Sequence, residues 1–389
     1  MKADNADKSY FCGNLRDQTA MKKLFLRLLF TLLPPLLCVG GISYCADPGE
    51  IFHDNSLQIA QILRKPQNVA LRLIPTNWSG IQIERVKQFQ KDQNTPNTVV
   101  WGSSRTAEMT SDFVASQPFF NNVLPGANIM DLVALLGLYK QENSLPQTII
   151  LGIDPMLFYP TKANGDFFVR DTNRTHILRP RQGLETYCQI GLAMLDTSFP
   201  PLPPLPRPFF YKLKMLLMPD YFQTSLRSIG KKPVIALQEG EKEGYFVLRK
   251  DGGYSLSQVE NIHDAQVAAR ADRFFKASNG TFFCDDCLKN EYYKLFKTLL
   301  LYLSQQEKRE VILFFSPIHP AAYLKFGNQE KALLETETKR FADSLQISYM
   351  GSYNPFVLGL DQKSKVFIDE MHLSREGFRL LVSRRFSGI

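Results

Sequence analysis

Two widely separated stretches of this chain carry residue types that could do chemistry together. Thr98-Val-Val-Trp101 reads as a buried strand and runs straight into Gly102-Ser103-Ser104-Arg105-Thr106, a small-residue turn leading toward a helix. A hydroxyl at the C-terminal end of such a strand is presented at the top of the sheet, where open α/β folds place their sites. Far downstream, Phe367-Ile-Asp369-Glu-Met-His372 stands just ahead of the last expected helix. A carboxylate three residues before a histidine on a bend can orient the ring, and the ring can then serve as base for a serine. Alone, either piece is weak, because Gly-Ser-Ser turns are common and a lone Asp-x-x-His is more often incidental than catalytic.

In this order, and at these ends of an α/β chain, the two pieces resemble the SGNH (GDSL-like) hydrolase superfamily. Its first block is Gly-Asp-Ser near the start. Its last is Asp-x-x-His near the end, continued as His-Leu-[Ser/Thr]-x-x-Gly, and this chain reads His372-Leu373-Ser374-Arg375-Glu376-Gly377. The resemblance spans about residues 95–160 and 305–389. It implies a three-layer α/β/α fold with a parallel, flavodoxin-like sheet, with Ser104 as nucleophile, His372 as base and Asp369 as the carboxylate that orients it.

Two intermediate blocks match less well. Val123-Leu-Pro-Gly126-Ala-Asn128 is similar to the second block, whose glycine donates a backbone N–H to the oxyanion. Leu151-Gly152-Ile153-Asp154 stands where the family has Gly-x-Asn-Asp, so Asp154 replaces the oxyanion asparagine. An ionised Asp154 has no proton to donate and would repel the developing charge, unless it is neutral or the role has moved to Asn128. Ser103 stands where the family usually has Asp. That Gly-Ser-Ser form resembles the membrane-anchored branch that includes the D-alanine-transfer protein DltD and relatives of the alginate O-acetylation proteins. The resemblance then implies an esterase or acyltransferase that moves a small acyl group to or from a cell-envelope polymer through an acyl-serine. Its partners would be that polysaccharide or other acylated polymer and a membrane-bound acyltransferase. The rival class is a non-catalytic envelope protein that keeps the fold to bind polysaccharide or such an acyltransferase, and the Asp154 departure favours it.

Other residues have two readings each. His319, in Phe315-Ser-Pro-Ile-His-Pro320, either lines the site or holds Pro-flanked backbone. Arg105 either clamps a substrate anion or forms a helix-surface ion pair. Cys284-Asp-Asp-Cys287 is a single CxxC without a second pair or a histidine at finger spacing, so no metal and no cofactor are expected. In an oxidising compartment a local disulfide, or one of the pair bonded to Cys188, is the reading that fits.

The elements that must position these groups alternate. Strands are expected at 98–101, 122–124, 147–152, 309–315 and 347–350, and helices at 81–93, 129–141, 288–306, 328–345 and 374–386, a pattern for a parallel sheet covered on both faces. After the third strand the alternation breaks, which marks an insertion at about 156–286. It contains the polyproline-like stretch Phe199–Pro208 and a hairpin candidate around Asp251-Gly252.

The chain has 389 residues and a formal charge of +8. Ordinary charge content and 12% aromatics exclude intrinsic disorder. Leu24–Tyr44 is apolar apart from Arg27 and is long enough for one membrane crossing. With Lys2, Lys8, Arg16, Lys22 and Lys23 before it, residues 1–23 are expected in the cytoplasm and the main domain outside, periplasmic or extracellular. A signal peptide starting at Met21 and a buried soluble helix are the rival readings, and bulky Tyr44 makes a poor cleavage site. Residues 24–45 are thus read as anchor, 46–79 as stalk and 80–389 as the SGNH-like domain with its insertion. The remaining positive charge concentrates on residues 156–256, which are expected to face anionic polymer or lipid headgroups. Nucleic acid is not expected as a partner, because no basic stripe is interleaved with aromatics.

Overall fold

Strands rich in Val, Ile and Leu along their whole length are those of a parallel sheet buried on both faces, and the computed structural model builds one from them. It describes residues 6–47, 52–53, 56–64, 69–71, 77–114, 117–158, 180–181, 183–196, 199, 208–229, 236–237, 246–255, 266–267, 269–270, 273, 287–325, 328–361 and 365–386. In chain order the helices used below are α1 (Ala6–Ala46), α2 (Ser56–Ile62), α3 (Trp78–Lys91), α4 (Ile129–Gln141), α5 (Glu185–Met194), α6 (Pro208–Leu217) and α7 (Pro219–Ser228). The strands are β1 (Val69–Leu71), β2 (Thr98–Gly102), β3 (Phe119–Val123), β4 (Thr148–Ile153), β5 (Ala236–Leu237), β6 (Phe246–Leu248), β7 (Tyr254–Ser255), β8 (Glu310–Phe315) and β9 (Ser348–Gly351). The chain divides into two units, residues 1–54 with 204–232, and residues 55–203 with 233–389.

The larger unit is mixed α/β. Its central sheet has the order β3-β2-β4-β8-β9, all neighbours parallel, which is the 2-1-3-4-5 order of doubly wound sheets. Every residue of β2, β3 and β4 is buried. The expected strands therefore form within a few residues of their predicted bounds. So do the helices, except that the one expected over 288–306 runs as Glu291–Leu301 and widens into a π-type turn over Tyr302–Gln306.

Much of the insertion after β4 is built into this unit. α4 is buried around its circumference from Ile129 to Tyr139 because α5 covers it. Their approach depends on two glycines: a Cβ on Gly137 would lie 2.0 Å from the Tyr187 carbonyl oxygen, and one on Gly191 2.2 Å from that of Val133. Cys188, on α5, is a buried free thiol, which corrects the expectation of a disulfide to it; its burial pushes the thiol pKa well up. Cys284 and residues 200–207 of the proline-rich stretch lie outside the described residues. Residues 46–79 contribute α2 and β1, and β1 pairs with β5 and β6 in a second, antiparallel sheet of order β5-β1-β6-β7. Pieces this short carry no detectable period.

The hairpin expected around Asp251-Gly252 joins β6 to β7. It docks on the segment after Ser104 through a buried ion pair, Arg249 Nη2 to Glu108 Oε2 at 2.5 Å, and the Ser255 hydroxyl donates to Glu108 Oε1 at 3.3 Å. Gly252, at φ +88°, lets the turn press against β3, where a Cβ would sit 2.3 Å from the Asn121 carbonyl oxygen. Removing one member of a buried pair strands the other charge. Arg249→Met is therefore expected to lower stability by about 3–5 kcal/mol in denaturant unfolding, and adding Glu108→Leu in the same chain to restore most of it.

Candidate active site

All five parallel strands point their C-terminal ends at one edge, and the chemistry-bearing residues leave from there. β2 ends at Gly102, and Ser104–Thr106 follows as one tight turn. Two glycines meet at this exit: a Cβ on Gly152 of β4 would lie 2.5 Å from Thr106 Cγ2, so the turn folds back over the sheet only because that strand is bare there. The Thr106 hydroxyl donates to the Ser103 carbonyl at 2.9 Å, and the Asn121 amide, on β3, donates to the carbonyls of Thr106 and Met109. The serine turn is thus held from below and from the side.

His372 arrives on a reverse turn between Val366 and the helix Arg375–Phe386. Ile368 N–H donates to the His372 carbonyl at 3.0 Å and Ser374 N–H to the Val366 carbonyl at 2.8 Å. Gly377 is required by packing, because its Cβ would lie 2.4 Å from the Val366 carbonyl oxygen. Asp369 sits at the turn's apex, where Oδ1 accepts from the N–H groups of Met371 and His372, both at 2.8 Å.

The two stretches that sequence separates by more than half the chain meet. Ser104 Oγ lies 2.8 Å from His372 Nε2, and His372 Nδ1 lies 2.9 and 2.8 Å from the two Asp369 carboxylate oxygens. Asp369 fixes the tautomer: Nδ1–H donates to the carboxylate, so Nε2 accepts from the serine hydroxyl. Burial alone would raise the Asp369 carboxyl. The His372 hydrogen bond and charge, together with the two backbone N–H groups, outweigh it and bring the pKa down to about 2.

Arg105 is 3% exposed, so the expected helix-surface ion pair does not form. Its Nε donates to the Met371 carbonyl at 3.2 Å and its Nη2 to those of Ser316 and Pro317. Nη1 lies 3.7 Å from Asp154 Oδ1. Asp154 also accepts from the Ser103 hydroxyl at 3.0 Å and from Met156 N–H at 3.0 Å. The Asp154 carboxylate therefore accepts two hydrogen bonds from its own neighbours, with the Arg105 guanidinium nearby.

Asn128 caps α4. Its Oδ1 accepts from Met130 N–H at 2.8 Å, and Asp131 Oδ2 accepts from Asn128 N–H at 3.0 Å in return. Gly126, at φ +67°, forms the bend before it, and Leu124 N–H donating to the Gly102 carbonyl at 2.8 Å brings that bend beside the serine turn. His319 holds backbone: its N–H donates to the Glu370 carbonyl at 3.2 Å and its Nδ1 accepts from Ala321 N–H at 3.2 Å. It thereby steadies the loop that carries His372.

Sequence reasoning missed Tyr254. This residue, 2% exposed on β7, has its side chain near Ser104 and packs edge-on against Trp78 with ring centroids 5.0 Å apart. Burial pushes its phenol well up, against the opposing effects of the Arg181 charge and the nearby Ser104 hydroxyl, so the hydroxyl keeps its proton at neutral pH. Arg181 was missed too. Its backbone N–H donates to Asp131 Oδ1 at 2.7 Å and its Nε stands 3.9 Å from Oδ2, which ties the insertion to the base of α4. The hairpin pattern announces β6 and β7, but no local signal says that Tyr254 faces a serine 150 residues earlier.

Comparison with models of known protein families finds no match for the chain, and comparison with curated proteins finds none either. What the fold and the site define is a mixed α/β protein with a partly buried Ser-His-Asp hydrogen-bond chain at the C-terminal edge of a parallel sheet.

The Asp369 carboxyl is lower in the folded chain than its ordinary 3.8, so it stabilises the fold by about 2 kcal/mol above that value, and this is lost as pH falls through about 2. Asp369→Asn is expected to be less stable by about that amount at pH 5, with the difference vanishing between about pH 4 and 2 in pH-dependent denaturant unfolding.

Proposed function

We propose that the chain is an SGNH-like esterase or acyltransferase held at a membrane, acting outside the cytoplasm on small acyl groups of a cell-envelope polymer. The observation that carries this reading is the 2.8 Å contact from Ser104 Oγ to His372 Nε2, continued to Asp369. In the first step Ser104 Oγ attacks an ester or thioester carbonyl while its proton passes to His372 Nε2. The carbonyl oxygen becomes the oxyanion. As the C–O or C–S bond breaks, Nε2–H returns the proton to the leaving alkoxide or thiolate, leaving an acyl-serine and neutral His372. An acceptor hydroxyl or water then repeats the sequence in reverse, losing its proton to Nε2 and releasing Ser104.

Developing oxyanion charge needs donors, and Asp154 offers none. The backbone N–H of Ser104 opens its turn, where it has no partner within that turn, and Gly126 N–H lies on the neighbouring bend. The Tyr254 side chain lies near Ser104, and its protonated hydroxyl is the side-chain donor proposed in place of the family's asparagine. The two departures from the family pattern act together, since Ser103 donates to Asp154 and Arg105 faces its charge. Asp154 is thereby turned from a repulsive group into an anchor for the serine turn. That weakens the non-catalytic reading, which rested on this substitution.

Membrane attachment is supported by α1, the one helix among the described residues long and apolar enough to cross a bilayer, over Met21–Ala46. The basic residues before it support an N-terminus in the cytoplasm.

The purified full-length chain in detergent is expected to react with a serine-directed fluorophosphonate, and Ser104→Ala to abolish labelling. Labelling unchanged in that variant would assign the nucleophile elsewhere, and no labelling of the parent would leave the binding-protein class. Tyr254→Phe is expected to keep the fold and lower hydrolysis of a model ester such as p-nitrophenyl acetate by about 10²-fold, mainly in kcat.

A further inference from the structure

The smaller unit holds a feature that neither the site nor the anchor accounts for. From Met21 to Leu37 the apolar side chains of α1 are bare, Leu24, Phe25, Phe30 and Leu37 each more than half exposed. That stretch rises ~26 Å at about 1.5 Å per residue, close to one hydrocarbon thickness. Beyond it one face of the helix is covered, while Tyr44 and Cys45 stay exposed on the other. Leu217 of α6 lies 4.0 Å from where a Gly40 Cβ would be, Ser43 is fully buried, and the Tyr221 hydroxyl of α7 donates to Asp47 Oδ1 at 2.6 Å.

Asp47 is the knot of this arrangement. It ends α1 at φ +35°, and its Oδ2 accepts from the N–H groups of Phe52 and His53 at 2.9 and 2.7 Å. Lys212 of α6 lies over the Phe52 ring at 5.8 Å. α6 and α7 are thus fastened to the last turns of α1, immediately after its bare stretch. Leu213 and Leu217 of α6, Leu226 of α7 and Ile229 just after it are all at least 40% exposed. Lys214, Asp220, Gln223, Thr224 and Arg227 are exposed alongside them. Lys212, Lys214 and Arg227 lie on the same two helices.

We infer that α6 and α7 form a collar lying in the interface of the membrane that α1 spans, with Leu213, Leu217, Leu226 and Ile229 immersed among the lipid chains. The bare length of α1 sets the register, because lipid filling that length brings the collar to headgroup level. Leucines and isoleucine in water would forfeit the burial that acyl chains offer, while Lys and Arg stems extend along lipid with their charges at the phosphates. This inference rests on the anchor reading of α1 and is independent of the acyl-transfer reading. Its consequence is that the insertion belongs partly to the anchor: the chain passes between the two units after residues 54, 203 and 232, so three connections join the candidate active site's unit to the membrane unit.

The test uses the full chain in vesicles of phosphatidylcholine and phosphatidylglycerol, with part of the lipid brominated either near the headgroup or near the chain ends. Trp78 and Trp101 are buried in the other unit and give the parent background. Leu226→Trp and, separately, Ile229→Trp are expected to add emission that headgroup-proximal bromine quenches by about twofold or more. Phe30→Trp is expected to be quenched more by bromine near the chain ends. Quenching of Phe30→Trp with none at Leu226→Trp or Ile229→Trp would overturn the collar and leave that face to water, a second copy or a protein partner. No quenching at any of the three would overturn the anchor and the collar together.

Discussion

Arg105 follows the candidate nucleophile directly, and its buried guanidinium reaches the loop that carries His372 through the Met371 carbonyl, the exit of β8 through Ser316 and Pro317, and the exit of β4 through Asp154. A charge taken out of water is costly unless it is paired and hydrogen-bonded, and here Nε and Nη2 donate to three carbonyls while Nη1 stands 3.7 Å from the Asp154 carboxylate. That requirement fixes the three loops relative to the Ser104 turn. The planar fork, with Nε and Nη2 set apart on one rigid group, is what lets one side chain reach both the Met371 loop and the exit of β8, which the single nitrogen of a lysine would not span. The 2.8 Å contact between Ser104 and His372 is the product of this cross-link as much as of either residue.

The same cross-link explains how two unusual residues coexist. A carboxylate at position 154 would be an intruder beside a developing oxyanion if it faced the reaction centre unpaired. Here Ser103 donates to one oxygen, Met156 N–H donates to the other, and the Arg105 guanidinium stands 3.7 Å away as a partial counter-charge. The hydroxyl at 103 is what makes a carboxylate at 154 usable, because an Asp there would meet a like charge. Ser103 and Asp154 are a matched donor and acceptor across the exits of β2 and β4.

How much of this was legible in the sequence depends on the range of each interaction. β2, β4 and β8 announce themselves because strands buried on both faces are continuous apolar runs, and α4 because its capping box and apolar circumference are local. Ser104, Asp369 and His372 were legible as types at strand and loop ends. β1 and β5 were not, since strands of three and two residues hold no period and pair across more than 160 positions. Tyr254 and the buried state of Arg105 were illegible for a different reason. Nothing near an isolated Arg or Tyr in sequence distinguishes a solvated side chain from one whose partners come from loops elsewhere in the fold.

The charge distribution shows the same limit. The surplus on residues 156–256 suggested a surface presented to anionic polymer or lipid. Two of its cations face inward instead: Arg181 stands against Asp131, and Arg249 against Glu108. Both carboxylates belong to the stretch 28–155, whose acidic residues outnumber its basic ones. Part of the imbalance between these stretches is therefore internal neutralisation, the insertion supplying counter-charges that the α/β core needs in order to bury its own carboxylates. Burial raises Asp131 and lowers Arg181, each partly opposed by the other, as expected of a desolvated pair. A segment added after the third strand of the sheet has thus become a condition of the core's stability, and through Tyr254 it reaches the serine itself.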